Sequence, residues 1–241
     1  MTTIATSWLD WAQPSLSTNG QNITIVLIGS VILALTITIP TLKRSGRTLV
    51  TVVHEAGHAA VGIACGRRFQ GFVVQRDMSG HAVTKGKPTG FGRILTTWAG
   101  YPVPAILGSL LVVGALNGYS KVIIMATIVV LIALLVMSRS VRTVIVILGS
   151  ALVFGSLWLL GNRMQIGALI QAGVITGIGL ILLIGAWTSL RDVAGTRDQE
   201  QDHFTLAGLT RVPSWIWLIT WFFVDLAMSV WTVHTAFDAV V

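Results

Sequence analysis

Residues 51–62 read "TVVHEAGHAAVG", an apolar helical run interrupted by His54, Glu55 and His58. Residues four apart on a helix share a face. His54 and His58 can therefore direct two ring nitrogens at one ion, while Glu55, the next residue along, projects beside that ion. This is the H-E-x-x-H arrangement: two imidazole ligands, and a carboxylate acting as base toward a water that zinc activates. Without an ion, three such groups in an apolar helix carry a substantial desolvation cost. The competing reading is a set of polar residues hydrogen-bonded across helices, since the pentapeptide recurs by chance. The apolar surroundings favour Zn2+. Gly57, Ala59 and Ala60 are small and let other elements approach the same face.

Composition sets the environment. The chain has 241 residues, 54% hydrophobic and 10% charged, with mean hydropathy +0.80. Soluble domains carry about 25% charged residues, so this is an integral membrane protein of the cell membrane, expected to form a single domain over 1–241. The formal charge of +7 does not indicate nucleic acid. Its basic residues fall in short loops between apolar runs, where membrane topology and lipid headgroups account for them. The lone Cys65 excludes an intrachain disulfide. Residues 1–22 read as a tail and not as a secretory signal, because no basic start precedes an apolar run. Trp8 and Trp11, three apart, either rest one face in the headgroup region or belong to a disordered tail.

Seven apolar runs approach the roughly 20 residues needed to span a bilayer: Ile23 to Leu42, Leu49 to Cys65, Ile94 to Leu116, Val122 to Met137, Val144 to Leu160, Ile166 to Trp187, and Pro213 to about His234. The expectation is an all-α polytopic protein with about seven transmembrane helices. The third run contains "AGYPVPAILG", where Gly100, Pro102 and Pro104 break or kink a helix. The fourth to sixth runs hold almost nothing polar and read as scaffold.

If every run crosses, the second, fourth and sixth loops share the side of the N-terminal tail. They contain Arg67, Arg68, Arg76, Lys85, Lys87, Arg93, Arg139, Arg142, Arg191, Arg197 and Arg211. The other loops contain Lys43, Arg44, Arg47, Lys121 and Arg163, which completes the 16 basic residues. The positive-inside rule then places the N-terminus and the catalytic loops in the cytoplasm and the C-terminus outside. The Lys43 to Arg47 cluster pulls against this count.

The loop at 66–90 differs from the rest. Phe69 to Gln75 and His81 to Lys85 are rich in strand formers, and "RDMSG" (76–80) between them has turn composition. This is a small membrane-associated β-hairpin. Its edge, with Phe72, Val73, Val74, Gly80 and His81, could hold an extended substrate as an added strand.

A zinc site needs a third protein ligand and an open position. The chain offers His81 in the hairpin, His234 and Asp225 in the last run, and Asp192, Asp198, Asp202 and His203 in the loop at 188–212. Residue chemistry alone does not choose among them.

An intramembrane "HEAGH", a following hairpin with "SGHAVTKG", and a broken "AGYPVPAILG" helix together resemble the site-2 protease family of zinc intramembrane metalloproteases. The similarity covers roughly residues 50 to 221. It is nearest to the compact bacterial M50B-like branch, in which a late "SDAxxLAxxTxxP" pattern supplies the third ligand. The matching stretch here is "QDHFTLAGLTRVP", residues 201 to 213. It keeps Asp202, Leu206, Ala207, Thr210 and Pro213, with Gln201 in place of Ser. The resemblance implies His54, His58 and Asp202 as zinc ligands and Glu55 as general base.

The expected function is zinc-dependent cleavage of membrane-embedded or membrane-proximal peptide bonds, with a transmembrane protein or peptide as substrate and the bilayer as surroundings. A catalytically silent pseudoprotease that binds transmembrane segments is the alternative. A transporter fits poorly, because the fourth to sixth runs offer no polar path. Cys65 reads as a core thiol, and His203 either as a partner of Asp202 or as a surface residue.

Overall fold

The fold was analysed in a computed structural model that describes residues 19–74, 80–137 and 141–241. Among these residues there are nine helices and one two-stranded sheet. The first apolar run does not continue to Leu42. Helix α1 (Asn19–Thr38) ends before Ile39, whose backbone is extended, and Pro40 starts α2 (Pro40–Ala64). Proline suits a helix's first turn because the amide it lacks has no intrahelical acceptor there. Lys43, Arg44 and Arg47, expected in a loop, therefore lie inside α2, on the same helix as the histidines.

Strands β1 (Arg68–Val74) and β2 (Gly80–Lys85) form the expected hairpin. They are antiparallel, with Phe72 opposite Ala82, Val73 opposite His81 and Val74 opposite Gly80, and a register irregularity lies between Phe69 and Gly71. Most of the proposed "RDMSG" turn, and Trp8 and Trp11, lie outside the described residues. Arg67 Nη1 donates to the Lys87 carbonyl at 2.8 Å and ties the two ends of the hairpin together.

The third run is broken as its prolines imply. Helix α3 (Phe91–Trp98) and α4 (Pro102–Leu116) meet at a 58° bend. Pro102 and Pro104 lie in the first turn of α4, where they begin a helix without interrupting one. Then follow α5 (Ser120–Met137), α6 (Val141–Arg163), α7 (Gln165–Ala194), a short α8 (Asp202–Thr210) and α9 (Ser214–Val240). The loop expected at 188–212 is thus largely helical.

Helix α7 is the central post, and small residues let its neighbours approach. An added Cβ on Gly108 of α4 would lie 2.6 Å from the Gly179 carbonyl oxygen, and one on Gly179 would lie 2.6 Å from that of Gly108. Such backbone proximity is how membrane helices gain packing where lipid removes the hydrophobic drive. Gly173 meets Ile28, and Gly177 meets Ile32, so α1 runs parallel to α7. Gly108 lies against Gly179 and Leu183 while Val112 lies against Gly179, so α4 runs antiparallel to it. Gly161 lies beside Gln171 and Gly167 beside Leu160, which joins the end of α6 to the start of α7.

Among the described residues, three helical segments are long and apolar enough to cross a membrane: Gly20–Thr38, Ile166–Ala194 and Ser214–Val240. They become four if the bent α3–α4 pair counts as one. The apolar parts of α5 and α6 are shorter, Ser120–Leu135 and Ile147–Arg163, and α2 is not among the long apolar segments. Large apolar side chains face outward, including Leu27, Val31, Leu152, Phe223 and Val233. This is the make-up of a multi-pass membrane protein.

The termini contradict the alternating seven-span order. Asn22 Nδ2, near the start of α1, donates to the Ala239 carbonyl near the end of α9 at 3.1 Å. The two chain ends therefore share one end of the molecule. The end of α1 and the start of α4 both lie beside the C-terminal half of α7: Gly46, which meets Thr36, also meets Ile181, and Ala105 packs with Leu183 and Ala186. The excursion through α2, the hairpin and α3 thus begins and ends at the same end of the molecule. In consequence the start of α1 and the segment near His54 lie at opposite ends of the molecule.

Candidate metal centre

Helix α2 presents its histidines in a firmly ended segment. Gly66 has φ 72°. Its amide donates to the Ile63 carbonyl and the Arg67 amide to that of Gly62, both at 2.9 Å. This paired closure satisfies carbonyls that would otherwise be orphaned at the helix end. Four residues apart on one face, His54 Nε2 and His58 Nε2 lie 3.0 Å from each other.

The α3–α4 break supplies the wall behind them. A Cβ on Gly100 would lie 2.5 Å from His58 Cε1 and Nε2, and 2.6 Å from His54 Cε1. Only glycine leaves room for both rings. A Cβ on Gly57 would come within 2.9 Å of the Ala99 carbonyl oxygen, so the glycine inside "HEAGH" is the reciprocal gap. The break also orients a ring: His58 Nδ1 lies 2.7 Å from the Thr96 carbonyl oxygen. A carbonyl can only accept, so Nδ1 carries the proton and a neutral His58 keeps its Nε2 lone pair for a ligand.

Tyr101 completes that wall. Its ring meets His54 edge-on at 4.7 Å and stacks on Trp221 at 4.2 Å. Its hydroxyl donates to Gln201 Oε1 at 3.2 Å. Trp221 Nε1 in turn donates to the Trp98 carbonyl at 3.0 Å, fixing α9 to the break.

Asp202 enters from α8, where it is the first helical residue after Gln201. A carboxylate is favoured at a helix N-terminus by the exposed amides there. Buried Leu206 anchors α8 against Leu190, Val193 and Trp221. Asp202 Oδ2 thereby lies 3.4 Å from His54 Nε2 and 3.2 Å from His58 Nε2. Burial alone would raise the Asp202 carboxyl, but in the metal-free site hydrogen bonds and charge attraction from the two imidazoles, with a proton on the nitrogens that face it, outweigh burial and hold the group well below the usual carboxylate range.

These residues fit zinc. Ligand atoms about 2.0–2.2 Å from a tetrahedral ion lie about 3.4 Å from one another, and the three measured separations are 3.0, 3.2 and 3.4 Å. Three lone-pair-bearing atoms this close repel one another unless a proton or a cation lies between them. Among the described residues, His54, His58 and Asp202 are the one group of His, Cys, Asp and Glu whose ligand atoms converge to within 4.8 Å. Two imidazoles and one carboxylate are a set found in catalytic zinc sites. Glu55, partly buried, follows His54 on α2.

Compared with known protein families, residues 25–232 match the profile described as Peptidase M50B-like. The chain belongs to this M50B-like family. It is accordingly a zinc metalloendopeptidase of the site-2 protease type. No curated protein and no solved structure matches it.

The other candidate ligands of this M50B-like peptidase lie apart from the triad. Asp192 and Arg191 are exposed, 3.7 Å from each other. Asp198 accepts from the Glu200 amide and the Gln201 side chain, bonds that lower its carboxyl. His234 pairs with Asp238 at 2.6 Å on an exposed part of α9. Asp225 is buried in α9, and its Oδ1 has no hydrogen-bond partner among the described residues. His203 is buried with its ring against Phe204 at 4.1 Å, so it is not a surface histidine, and burial lowers its imidazole against the pull of Asp202. Cys65 packs against Gly92 of α3. Phe72, Val73, Val74, Gly80 and His81 all lie in the paired strands, the last two on β2.

Sequence reasoning missed the Thr96 carbonyl, which has no side-chain signature. It also missed the roles of Gly100 and Tyr101 against the histidines. Both stand in the quoted "AGYPVPAILG", where glycine and proline content pointed to a broken helix and nothing indicated clearance for two rings.

Proposed function

We propose that this chain is a zinc-dependent intramembrane endopeptidase, with His54, His58 and Asp202 as ligands and Glu55 as general base. The observation that carries the reading is the convergence of the two Nε2 atoms and Asp202 Oδ2 beside Glu55, in a chain whose long helices turn apolar side chains outward. When bound, zinc supplies a Lewis acid that activates water and polarises the scissile carbonyl. Glu55 takes the proton from the attacking water and delivers it to the leaving amine. The Thr96 carbonyl keeps His58 in the ligand tautomer, and Tyr101 and Gly100 hold both rings in place.

A transmembrane substrate hides its carbonyls in its own helix. Among the described residues no third strand pairs with the hairpin, and an unwound segment added beside Phe72, Val73 and Val74, or beside Gly80 and His81, would be held extended for cleavage. Val73→Pro removes a ladder donor. Cleavage then falls while bound zinc stays normal; unchanged cleavage would rule out the hairpin as a platform.

The single domain spans the whole chain, with its catalytic end in the cytoplasm. The basic residues support that side once α2 is read as returning. Lys43, Arg44, Arg47, Arg142, Arg191, Arg197 and Arg211 belong to the C-terminal end of α7, as do the described basic residues of the α2–α3 excursion, Arg67, Arg68, Lys85, Lys87 and Arg93. Of the described basic residues, Lys121 and Arg163 belong to the other end. The positive-inside rule then leaves both termini outside. The finer count is six crossings, by α1, α4, α5, α6, α7 and α9, where seven were expected.

The test is reconstitution of the purified protein with a transmembrane peptide in vesicles. The zinc-loaded wild type cleaves it, Glu55→Gln does not, and chelation followed by zinc restores the wild type alone. Cleavage by Glu55→Gln would contradict the assignment.

A further inference from the structure

One cavity is not used by the peptidase reading. It has a volume of about 440 Å³ and lies between the end of α1, the first half of α2 and the C-terminal half of α7. Its walls divide by chemistry. Leu33, Ile37, Val50, Ile181 and Ile184 make an apolar floor, and Lys43, Arg47 and Arg191 stand at the lining with one carboxylate, Asp192. Ile37 and Ile184 are 54% and 45% exposed, so the apolar part continues onto the outward-facing surface. Thr36, Thr51 and Thr188 spend their hydroxyl protons on their own helices, at Ile32, Arg47 and Ile184. Lys43, Arg47 and Arg191, the last also 3.7 Å from Asp192, are with the Ser189 hydroxyl the donors at the lining open to a ligand.

We propose that this cavity binds one anionic phospholipid, its phosphate held by Lys43, Arg47 and Arg191 and its acyl chains lying along Ile37 and Ile184. Charge complementarity and amphipathic shape select that occupant. A net positive rim rejects a cation, a polar soluble anion gains nothing from the isoleucine floor, and a neutral lipid gains nothing from the rim. Basic sites between helix ends at a membrane surface attract anionic headgroups at about 1 kcal/mol per cation. The site lies on the helix that carries the metal ligands: Val50 and Thr51 line it, and His54 is one turn further along α2. Val50 is also wedged against Gly185, where a Cβ would lie 2.2 Å from Val50 Cγ2. An occupied cavity thus fixes α2 against α7 just before the histidines. The inference concerns regulation of the proposed protease site, but its test reads binding directly.

The experiment is native mass spectrometry of the full chain from nanodiscs of phosphatidylcholine with a minor fraction of phosphatidylglycerol. The wild type retains one phosphatidylglycerol in preference to phosphatidylcholine. Lys43→Gln with Arg47→Gln lowers retention about 30-fold, two cations at about 1 kcal/mol each. Thr188→Trp keeps every charge, fills the cavity and also lowers retention. Lys85→Gln with Lys87→Gln removes as much charge from the same end and leaves retention unchanged. Equal retention of both lipids, an equal loss in the Lys85 and Lys87 pair, or displacement of the lipid by millimolar inorganic phosphate would each overturn the proposal. Loss of peptide cleavage with retention intact would count against the protease reading only.

Discussion

The ring of His58 is set by the backbone of Thr96: Nδ1 stands 2.7 Å from that carbonyl oxygen, and Nε2 points at His54 and Asp202. One hydrogen bond from the broken third run thus decides which nitrogen of the second run can hold a metal. The break and the H-E-x-x-H helix act as one unit, and Gly100 is the point of closest approach.

Gly100→Ala therefore strikes the centre without touching a ligand. Its Cβ would lie 2.5 Å from the His58 ring, and both rings must move. The expected outcome is a 10- to 100-fold loss of zinc affinity, the range for disturbed support of a metal ligand, with cleavage falling at least as far. Gly208→Ala, where a Cβ meets nothing within 4 Å, leaves zinc and cleavage unchanged. Zinc titration against a competing chelator measures both variants, and a Gly100→Ala protein with wild-type affinity would contradict the packing argument.

The depressed Asp202 carboxyl predicts a pH dependence in metal-free protein. A carboxyl whose folded value lies below its unfolded value of about 3.9 contributes stability that is fully present above that pH and is lost as pH falls toward the folded value. Wild type should therefore be more stable than Asp202→Asn at neutral pH, with the difference narrowing below about pH 4. Thermal unfolding in detergent, followed for both proteins across pH, measures this. A difference that grows on acidification has the wrong sign for an Asp202 paired with His54 and His58.

The contact between Asn22 and Ala239 predicts the sidedness of the chain. Reporters fused at the N-terminus and after Val241 should report the same side, outside, and a reporter inserted at Thr196 should report the cytoplasm. Termini on opposite sides would restore the alternating seven-span order.

How far residues can be read before the fold is known depends on the kind of constraint. His54, Glu55 and His58 were legible because a local helix fixes their spacing. Their third partner was not, because Asp202 is brought in by packing of Leu206 and Trp221 across many residues; only the resemblance of "QDHFTLAGLT" to a family pattern distinguished it from Asp192, Asp198 and Asp225. The hairpin was visible in its strand composition. The seven-run order differs from the fold for a physical reason: hydropathy registers that Leu49 to Cys65 is apolar, but not that the chain folds back at Ile39 and Pro40 and stays at one end of the molecule. The Lys43 to Arg47 cluster that opposed the alternating count was the trace of that turn.

Zinc content and cleavage, measured together on purified Asp202→Ala and Glu55→Gln, test the central claim most directly. A three-ligand site that loses one ligand binds zinc far more weakly than one that loses a supporting contact. Asp202→Ala should lose both bound zinc and cleavage, and Glu55→Gln should keep zinc and lose cleavage. Asp192→Ala and Asp225→Ala should keep both. Full zinc occupancy in Asp202→Ala would contradict the account, and loss of zinc in Asp225→Ala would move the third ligand into α9.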